Sequence, residues 1–476
     1  MEKPYQRILE KVLVKIKPKK AEETHLKVLS QKTLEITRET AKKYQAKAIL
    51  AGSITRDTWL PGKQEFDVFI LFSPDLPESK LEEYGLLIGR EVIKELKGKF
   101  SVEYAQHPYA SGLVQGVDID IVPCYEVESA ERIKSAVDRT PFHVRYIEKN
   151  LPLILSDQVR LLKQFLTANK IYGADAKTEG LSGYACELLT IHYGSFVNVL
   201  KAATNWKAGE ITDLEKHYKP EDYPQLRNKF KNNALILIDP TDKNRNTTSP
   251  VSAENFLKFK KIAKEFLKLP SDKHFVERRL YSLTSRELKK LQEQRKTELL
   301  LVKFTPTKVV PDILWPQLRR FADRLKDILE ETKYEFKVLR HDAYSNEKDT
   351  AVVLLEMEVF RLPHIQKRIG PSIFDANDAK RFLEKYNKPL TGPFVEGVNW
   401  SVEIKRKFLT AHDKLLDSLK KDVNILKAKG VPNYIAEQIA KEFEIISTEK
   451  KLNALIKKDN SFGIFLRDYF EKESLI

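Results

Sequence analysis

The chain has 476 residues, 42% of them hydrophobic and 32% charged, and its 83 Lys and Arg against 68 Asp and Glu give a formal charge of +15. That length suits two to four domains. No apolar run reaches the ~20 residues of a membrane-crossing helix, and Met1-Glu-Lys-Pro lacks the apolar core of a signal peptide. The two cysteines, Cys124 and Cys186, lie far apart without metal-ligand spacing and read as buried thiols of a cytoplasmic chain. The positive charge points to a polyanionic partner, nucleic acid first, with plain surface solubility as the alternative.

Residues 22–44 carry Leu26, Leu29, Ile36, Ala41 and Tyr44 near helical spacing, and predict a helix leading into a first strand. That apolar run, 48–51, ends abruptly on Gly52-Ser53. A polar loop with Pro61-Gly62 follows, then Glu65-Phe-Asp-Val-Phe-Ile-Leu71. The β-branched and aromatic content of this last segment predicts a strand. Strand side chains alternate, so Glu65 and Asp67 share a face while Phe66 and Val68 point to the core. Two acids at i and i+2 beside a Gly-Ser turn suit Mg²⁺ and a triphosphate. Turn N–H groups and the Ser53 hydroxyl can take phosphate oxygens, and paired carboxylates hold hard cations. An ordinary strand with a solvated acidic face is the plain alternative.

Helical spacing returns over 79–97 and stops at Gly98. Two strands, 100–104 and 116–122, are expected around a loop over 106–112. In the second, Val117, Ile119 and Ile121 face one way, Asp118 and Asp120 the other. Acids lining one face of a buried sheet are costly unless a cation neutralises them. A helix over 156–170 buries Val159, Leu162, Phe165 and Leu166, leaving Arg160, Lys163 and Gln164 on a polar side; by itself Lys163 reads as a solvated lysine. Ser182 caps a second helix running through Phe196. Residues 205–233 read as loop-rich, 235–240 as a strand and 253–267 as a helix.

The charged stretch 270–298 predicts a domain boundary. A β-α-β-β unit is expected over 298–360, of a layout that often carries RNA. Residues 363–408, rich in Pro and Gly, predict a compact irregular insertion. Amphipathic helix interrupted near Gly430-Val-Pro432 follows over 409–446, and a short helix over 451–473.

A Gly-Ser turn followed by acid-x-acid resembles the nucleotidyltransferase superfamily that includes DNA polymerase β, which places its third metal ligand on a later strand. Glu65-Phe-Asp67, His107-Pro-Tyr109, Asp118-Ile-Asp-Ile-Val-Pro-Cys-Tyr125 and Ser135-Ala-Val-Asp-Arg-Thr-Pro-Phe-His143 resemble, in order and register, the archaeal CCA-adding enzymes. So do Arg160-Leu-Leu-Lys-Gln-Phe165, Leu181-Ser-Gly-Tyr-Ala-Cys-Glu-Leu-Leu189 and Asp239-Pro-Thr-Asp-Lys-Asn-Arg-Asn246. The resemblance implies an α+β multidomain fold. A polymerase-β-like catalytic head would occupy 1–150 and a helical, nucleotide-binding neck 151–270. A small α+β body would occupy 271–360, completed by 409–476, with a tail over 361–408 contacting tRNA.

It also implies an activity: an RNA 3′-hydroxyl attacks the α-phosphorus of CTP or ATP at a two-metal Mg²⁺ site, adding C, C and A to tRNA without a template. Glu65, Asp67 and Asp120 would be the catalytic metal ligands, with Asp118 a supporting or surface residue. Gly52, Ser53 and Arg56 from the turn, then Lys163, Tyr172 and Ser182 from the neck, would contact the triphosphate. Thr140 and His143 would line the nucleotide site and His107 the ribose or primer vicinity, both histidines being open to a structural reading. Arg245 would favour C and A over G and U. The RNA partner is the acceptor-stem and T-arm half of tRNA, held by charge and shape, with Phe394 and Trp400 as stacking candidates or core residues. A homodimer is possible. A poly(A) or oligoadenylate polymerase and an inactive RNA-binding relative are the alternatives.

Overall fold

The computed structural model describes residues 3–62, 64–104, 106–331, 334–472 and 474–475, and divides into two units meeting at Arg278/Arg279. In the first, α1 (Lys3–Ile16) and α2 (Lys20–Lys42) precede β1 (Lys47–Ala51), β2 (Glu65–Phe72), α3 (Glu78–Glu95), β3 (Lys99–Tyr104), β4 (Pro108–Val114) and β5 (Val117–Tyr125). The five strands form one mixed sheet ordered β1-β2-β5-β4-β3, in which β2 and β5 run parallel. α2 and α3 cover one face, where Phe66, Val68, Ile70, Ile119 and Ile121 pack against Leu26, Leu81, Ile88 and Val92. Alternation therefore turns Glu65, Asp67, Asp118 and Asp120 to the opposite face.

The stretch 106–112, expected as a loop, is largely strand β4. Its buried positions Ala110, Gly112 and Val114 are small or spaced by polar residues, so no apolar run advertises them. Gly89 and Gly112 let α3 lie close on this strand: a Cβ at Gly89 would sit 2.1 Å from the Ala110 Cβ.

A second core is built from α4 (Thr140–Asn150), α5 (Ser156–Ala168), α6 (Gly183–Tyr193), α7 (Phe196–Asn205), β6 (Glu210–Thr212), α8 (Tyr223–Lys229), β7 (Leu235–Asp239), β8 (Asp242–Asn246) and α9 (Ala253–Lys268). α1 joins this core through Val12 and Ile16. The helix expected to run from Ser182 through Phe196 is two, because Gly194 turns left-handed (φ 77°) and Ser195 caps the next. Within 205–233, β6 and α8 add regular structure.

The second unit begins with α10 (Ser285–Arg295) and continues through β9 (Glu298–Phe304), α11 (Pro311–Glu330), β10 (Lys337–Ser345) and β11 (Ala351–Val359). Next come β12 (Ile365–Ser372), α12 (Ala376–Lys385), β13 (Thr391–Glu396) and β14 (Asn399–Lys405). These form a three-stranded antiparallel sheet ordered β12-β14-β13 with α12 on it, not an irregular insertion. The composition misleads because Pro371 and Pro393 sit on the two edge strands, where a missing N–H costs little. α13 (Ala411–Leu419), α14 (Val423–Ala428) and α15 (Asn433–Lys441) then lead to β15 (Glu444–Ile446). β15 pairs with β9 and extends a sheet ordered β10-β11-β9-β15. The final helix expected over 451–473 is two, α16 (Glu449–Lys458) and α17 (Asn460–Phe470), parted where Asp459 caps the second; Glu473 lies outside the described residues.

Candidate active site

Across the parallel pair β2/β5, Glu65 is level with Asp118 and Asp67 with Asp120. The four acids, with Gly52 and Ser53, line a cavity of about 300 Å³. Gly52 has φ 91°, and a Cβ there would meet the Asp67 Oδ2 at 3.3 Å, so glycine lets the turn close over this carboxylate. Burial, then Asp120 and Glu65, push the Asp67 carboxyl up to about 7, and Arg56 offsets this only partly. Asp120 is also raised, by burial first and then by Glu65 and Asp118, against a hydrogen bond from Ser111. Burial, then Asp120, Glu103 and Asp67, push the Tyr109 hydroxyl on β4 up to about 12.

Concentrated carboxylates with raised proton affinity are what a divalent cation would relieve, and an all-oxygen donor set fits a hard ion such as Mg²⁺. Among the described residues, the trio whose ligand atoms all lie within 4.8 Å of one another is Glu78, Glu82 and His107. Glu65, Asp67 and Asp120 do not form such a trio among the described residues.

Beside the acids lies a cluster of cations around one buried glutamate. Arg56, on the short 3₁₀ turn Ser53–Arg56, places its Nε 3.2 Å from Glu187 Oε1 and a terminal nitrogen 3.2 Å from Oε2. Lys163 is 3% exposed, correcting the polar-side reading of α5. Its Nζ donates to the Thr58 carbonyl and hydroxyl, each at 3.1 Å, and stands 3.7 Å from Glu187. Arg160, read as polar-side as well, is fully buried and bonds Asp57, Asp157 and the Trp59 carbonyl. Burial would raise Glu187, but Arg56, Lys163 and Thr58 hold it below the usual carboxylate range. Burial lowers Lys163 in spite of Glu187.

Ser182 accepts from Ala185 N at the start of α6, and Tyr172 bridges to Leu181. A Cβ on Gly183 would stand 3.1 Å from the Tyr172 hydroxyl and 3.6 Å from Lys163 Nζ, so these three predicted residues converge at one helix start. Burial raises the Tyr172 hydroxyl first, with Cys186, Glu187 and Glu65 adding to it.

A third cluster joins α4 to the β7–β8 hairpin. Thr140 opens α4, whose start is tied to β5 by buried Asp138 accepting from the Tyr125, Lys134 and Ser135 backbone N–H groups. His143 Nε2 lies 2.8 Å from Asp239 Oδ2, the same oxygen that Arg245 reaches at 2.7 Å. Tyr184 donates to the other oxygen and stacks on His143 with ring centroids 4.0 Å apart. Burial would raise Asp239, but His143, Thr241 and Arg245 hold it well below the usual range.

His107 is not among these residues. It lies against Glu78 and Glu82 on α3 and lines a separate cavity with Pro74, Asp75 and Lys134. Asp118 is exposed at the mouth of the acidic cavity. Glu187 and Asp239, which organise two of the clusters, carried no role in the sequence reading. Their signals were an acid inside the apolar run Ala185-Cys-Glu-Leu-Leu189 and one closing Leu235-Ile-Leu-Ile-Asp239. Ser111 and Tyr109 were hidden by the misassigned loop.

Three family models match in succession: a nucleotidyltransferase domain over 30–143, the second domain of tRNA nucleotidyltransferase over 157–276, and the C-terminal domain of CCA-adding enzyme over 295–448. The CCA-adding enzyme of Methanocaldococcus jannaschii is 37% identical over 449 residues, covering 92% of this chain and 96% of that one. Those of Methanosarcina acetivorans (96% and 97% covered) and Methanoregula boonei (90% and 89% covered) are each 35% identical. With its acidic strand pair, its cationic cluster and these relatives along nearly its whole length, the chain belongs to the CCA-adding enzyme family of nucleotidyltransferases.

Proposed function

We propose that this chain adds C, C and A to the 3′ end of tRNA from CTP and ATP, releasing pyrophosphate, with Glu65, Asp67 and Asp120 as ligands for Mg²⁺. The observation that carries the reading is the level pairing of Asp67 with Asp120 across parallel strands, with both carboxyls held above their ordinary range. Bound divalent ions would neutralise the triphosphate and lower the pKa of the attacking hydroxyl. The protein's own part is positioning. Ser53 and the turn N–H groups take phosphate oxygens. Arg56 and Lys163, fixed by Glu187 and Thr58, present positive charge, and Tyr172 and Ser182 close the other side.

Held by one carboxylate, Arg245 offers donors to the base, and His143, whose Nε2–H is given to Asp239, offers Nδ1 as an acceptor. A base whose groups go unpaired there loses ~1–3 kcal/mol, which favours C and A over G and U. The net charge of +15 supports tRNA binding through phosphates, with the second unit as the surface for the acceptor-stem and T-arm half. Among the described residues no helix is long and apolar enough to cross a membrane.

The test is a gel assay on tRNA lacking its 3′ end: addition stops after three residues with CTP and ATP. A ladder of A would instead assign the chain to poly(A) synthesis. Asp67→Asn abolishes incorporation and leaves tRNA affinity within a few-fold.

A further inference from the structure

His107 is 5% exposed, and its Nδ1 lies 3.3 Å from Glu78 Oε1 and 3.3 Å from Glu82 Oε1. The two glutamates stand one turn apart at the start of α3. His107 Nε2 is buried without a hydrogen-bond partner, so all the polar contact of this imidazole runs through Nδ1 toward the two carboxylates. A hydrogen bond accounts for part of that arrangement, but one N–H serves one acceptor well, and 3.3 Å is long for either. The spacing suits something else. An ion with bonds of about 2.0–2.1 Å to N and O separates its tetrahedral ligands by about 3.3–3.4 Å.

We propose that Glu78, Glu82 and His107 form a second metal site, for a divalent ion of the zinc class. Imidazole with two carboxylates is a borderline donor set that suits Zn²⁺, whereas Mg²⁺ prefers six oxygens. The site shares no residue with the cavity of Glu65, Asp67 and Asp120. Two of its members, Glu78 and His107, line a cavity of about 510 Å³ together with Pro74, Asp75 and Lys134, which leaves room beside the site for water or a small anion. An ion there pins the first turn of α3 to the chain two residues ahead of Tyr109, whose hydroxyl feels Asp120. The second site therefore braces the strand that backs the catalytic acids.

The full-length chain, stripped with chelator and held in excess Mg²⁺ to occupy the catalytic acids, is titrated with Zn²⁺ by calorimetry. Co²⁺ is titrated in parallel and followed by its visible absorption. One equivalent of Zn²⁺ binds, and Co²⁺ gives the intense bands of a four-coordinate ion. His107→Gln and the milder Glu82→Gln each weaken Zn²⁺ by at least about tenfold, while Asp67→Asn binds as the parent does. No stoichiometric binding, binding that survives both Gln variants, or binding lost in Asp67→Asn overturns the site.

Discussion

Asp67→Asn tests the electrostatics of the acidic cavity apart from chemistry. The Asp67 carboxyl is pushed from an ordinary 3.8 to about 7, by burial first and then by Asp120 and Glu65. At ~1.4 kcal/mol per tenfold in proton affinity, the ionised group costs the fold up to ~4 kcal/mol above pH 7. Solvent at the cavity mouth reduces this to about 1–3 kcal/mol. A folded-state pKa above the unfolded one means the folded chain binds the proton more tightly. Stability is therefore lost as pH rises from about 4 to about 7 and stays low beyond. Asn keeps the shape and removes the charge. Urea denaturation in chelator at pH 8 should find Asp67→Asn more stable than the parent by about 1–3 kcal/mol, and the gap should close toward pH 4. Mg²⁺ should then raise the parent's midpoint and leave that of Asp67→Asn nearly still, because only the parent has the full ligand set. Equal Mg²⁺ shifts in both proteins, or an Asn variant that is the less stable at pH 8, refute the reasoning.

Glu187→Gln leaves Arg56 and Lys163 without their buried counter-charge. It should cost about 3–5 kcal/mol in urea titrations and raise KM for both nucleotides; an unaltered midpoint would remove Glu187 from its organising position. Asp239→Asn frees Arg245 and His143, and single-turnover rates with CTP and UTP should show their ratio falling by roughly tenfold, ~1.4 kcal/mol of discrimination. If the ratio holds, the pair does not read the base. Raising salt from about 50 to about 200 mM should weaken tRNA in a filter-binding assay by an order of magnitude or more. Salt-insensitive binding would place the RNA away from the basic surface.

The head was legible because its physics is local. Alternation in 65–71 and 117–121 assigns each residue to a face, and the five-stranded sheet obeys it from Phe66 to Ile121. Where the sequence misled, the deciding information was non-local. Lys163 and Arg160 look solvated on α5, and only a chain segment about a hundred residues earlier, carrying Asp57, Thr58 and Trp59, makes their burial tolerable. His107 was placed by its neighbourhood in a motif, but its contacts come from α3, which the motif does not include. The sheet of 365–405 was masked by prolines whose cost depends on whether a strand is central or at an edge, a property of pairing that no single segment carries.

The buried acids of the first unit separate into two kinds, and burial does not tell them apart. Glu187 and Asp239 are both 0% exposed, yet both are held below the usual carboxylate range, because guanidinium, ammonium, imidazole or hydroxyl groups face them. Asp67 and Asp120 are less enclosed and are both held above it, because their nearest charged neighbours are largely other acids. Desolvation acts in the same direction on all four, so the sign of each shift is decided by the partners. A carboxylate answered from within the chain fixes cations and needs nothing more. One answered largely by other carboxylates raises the energy of the fold unless a cation from outside joins it, which is why the proposed metal site falls on the level pair Asp67 and Asp120 and not on Glu187 or Asp239.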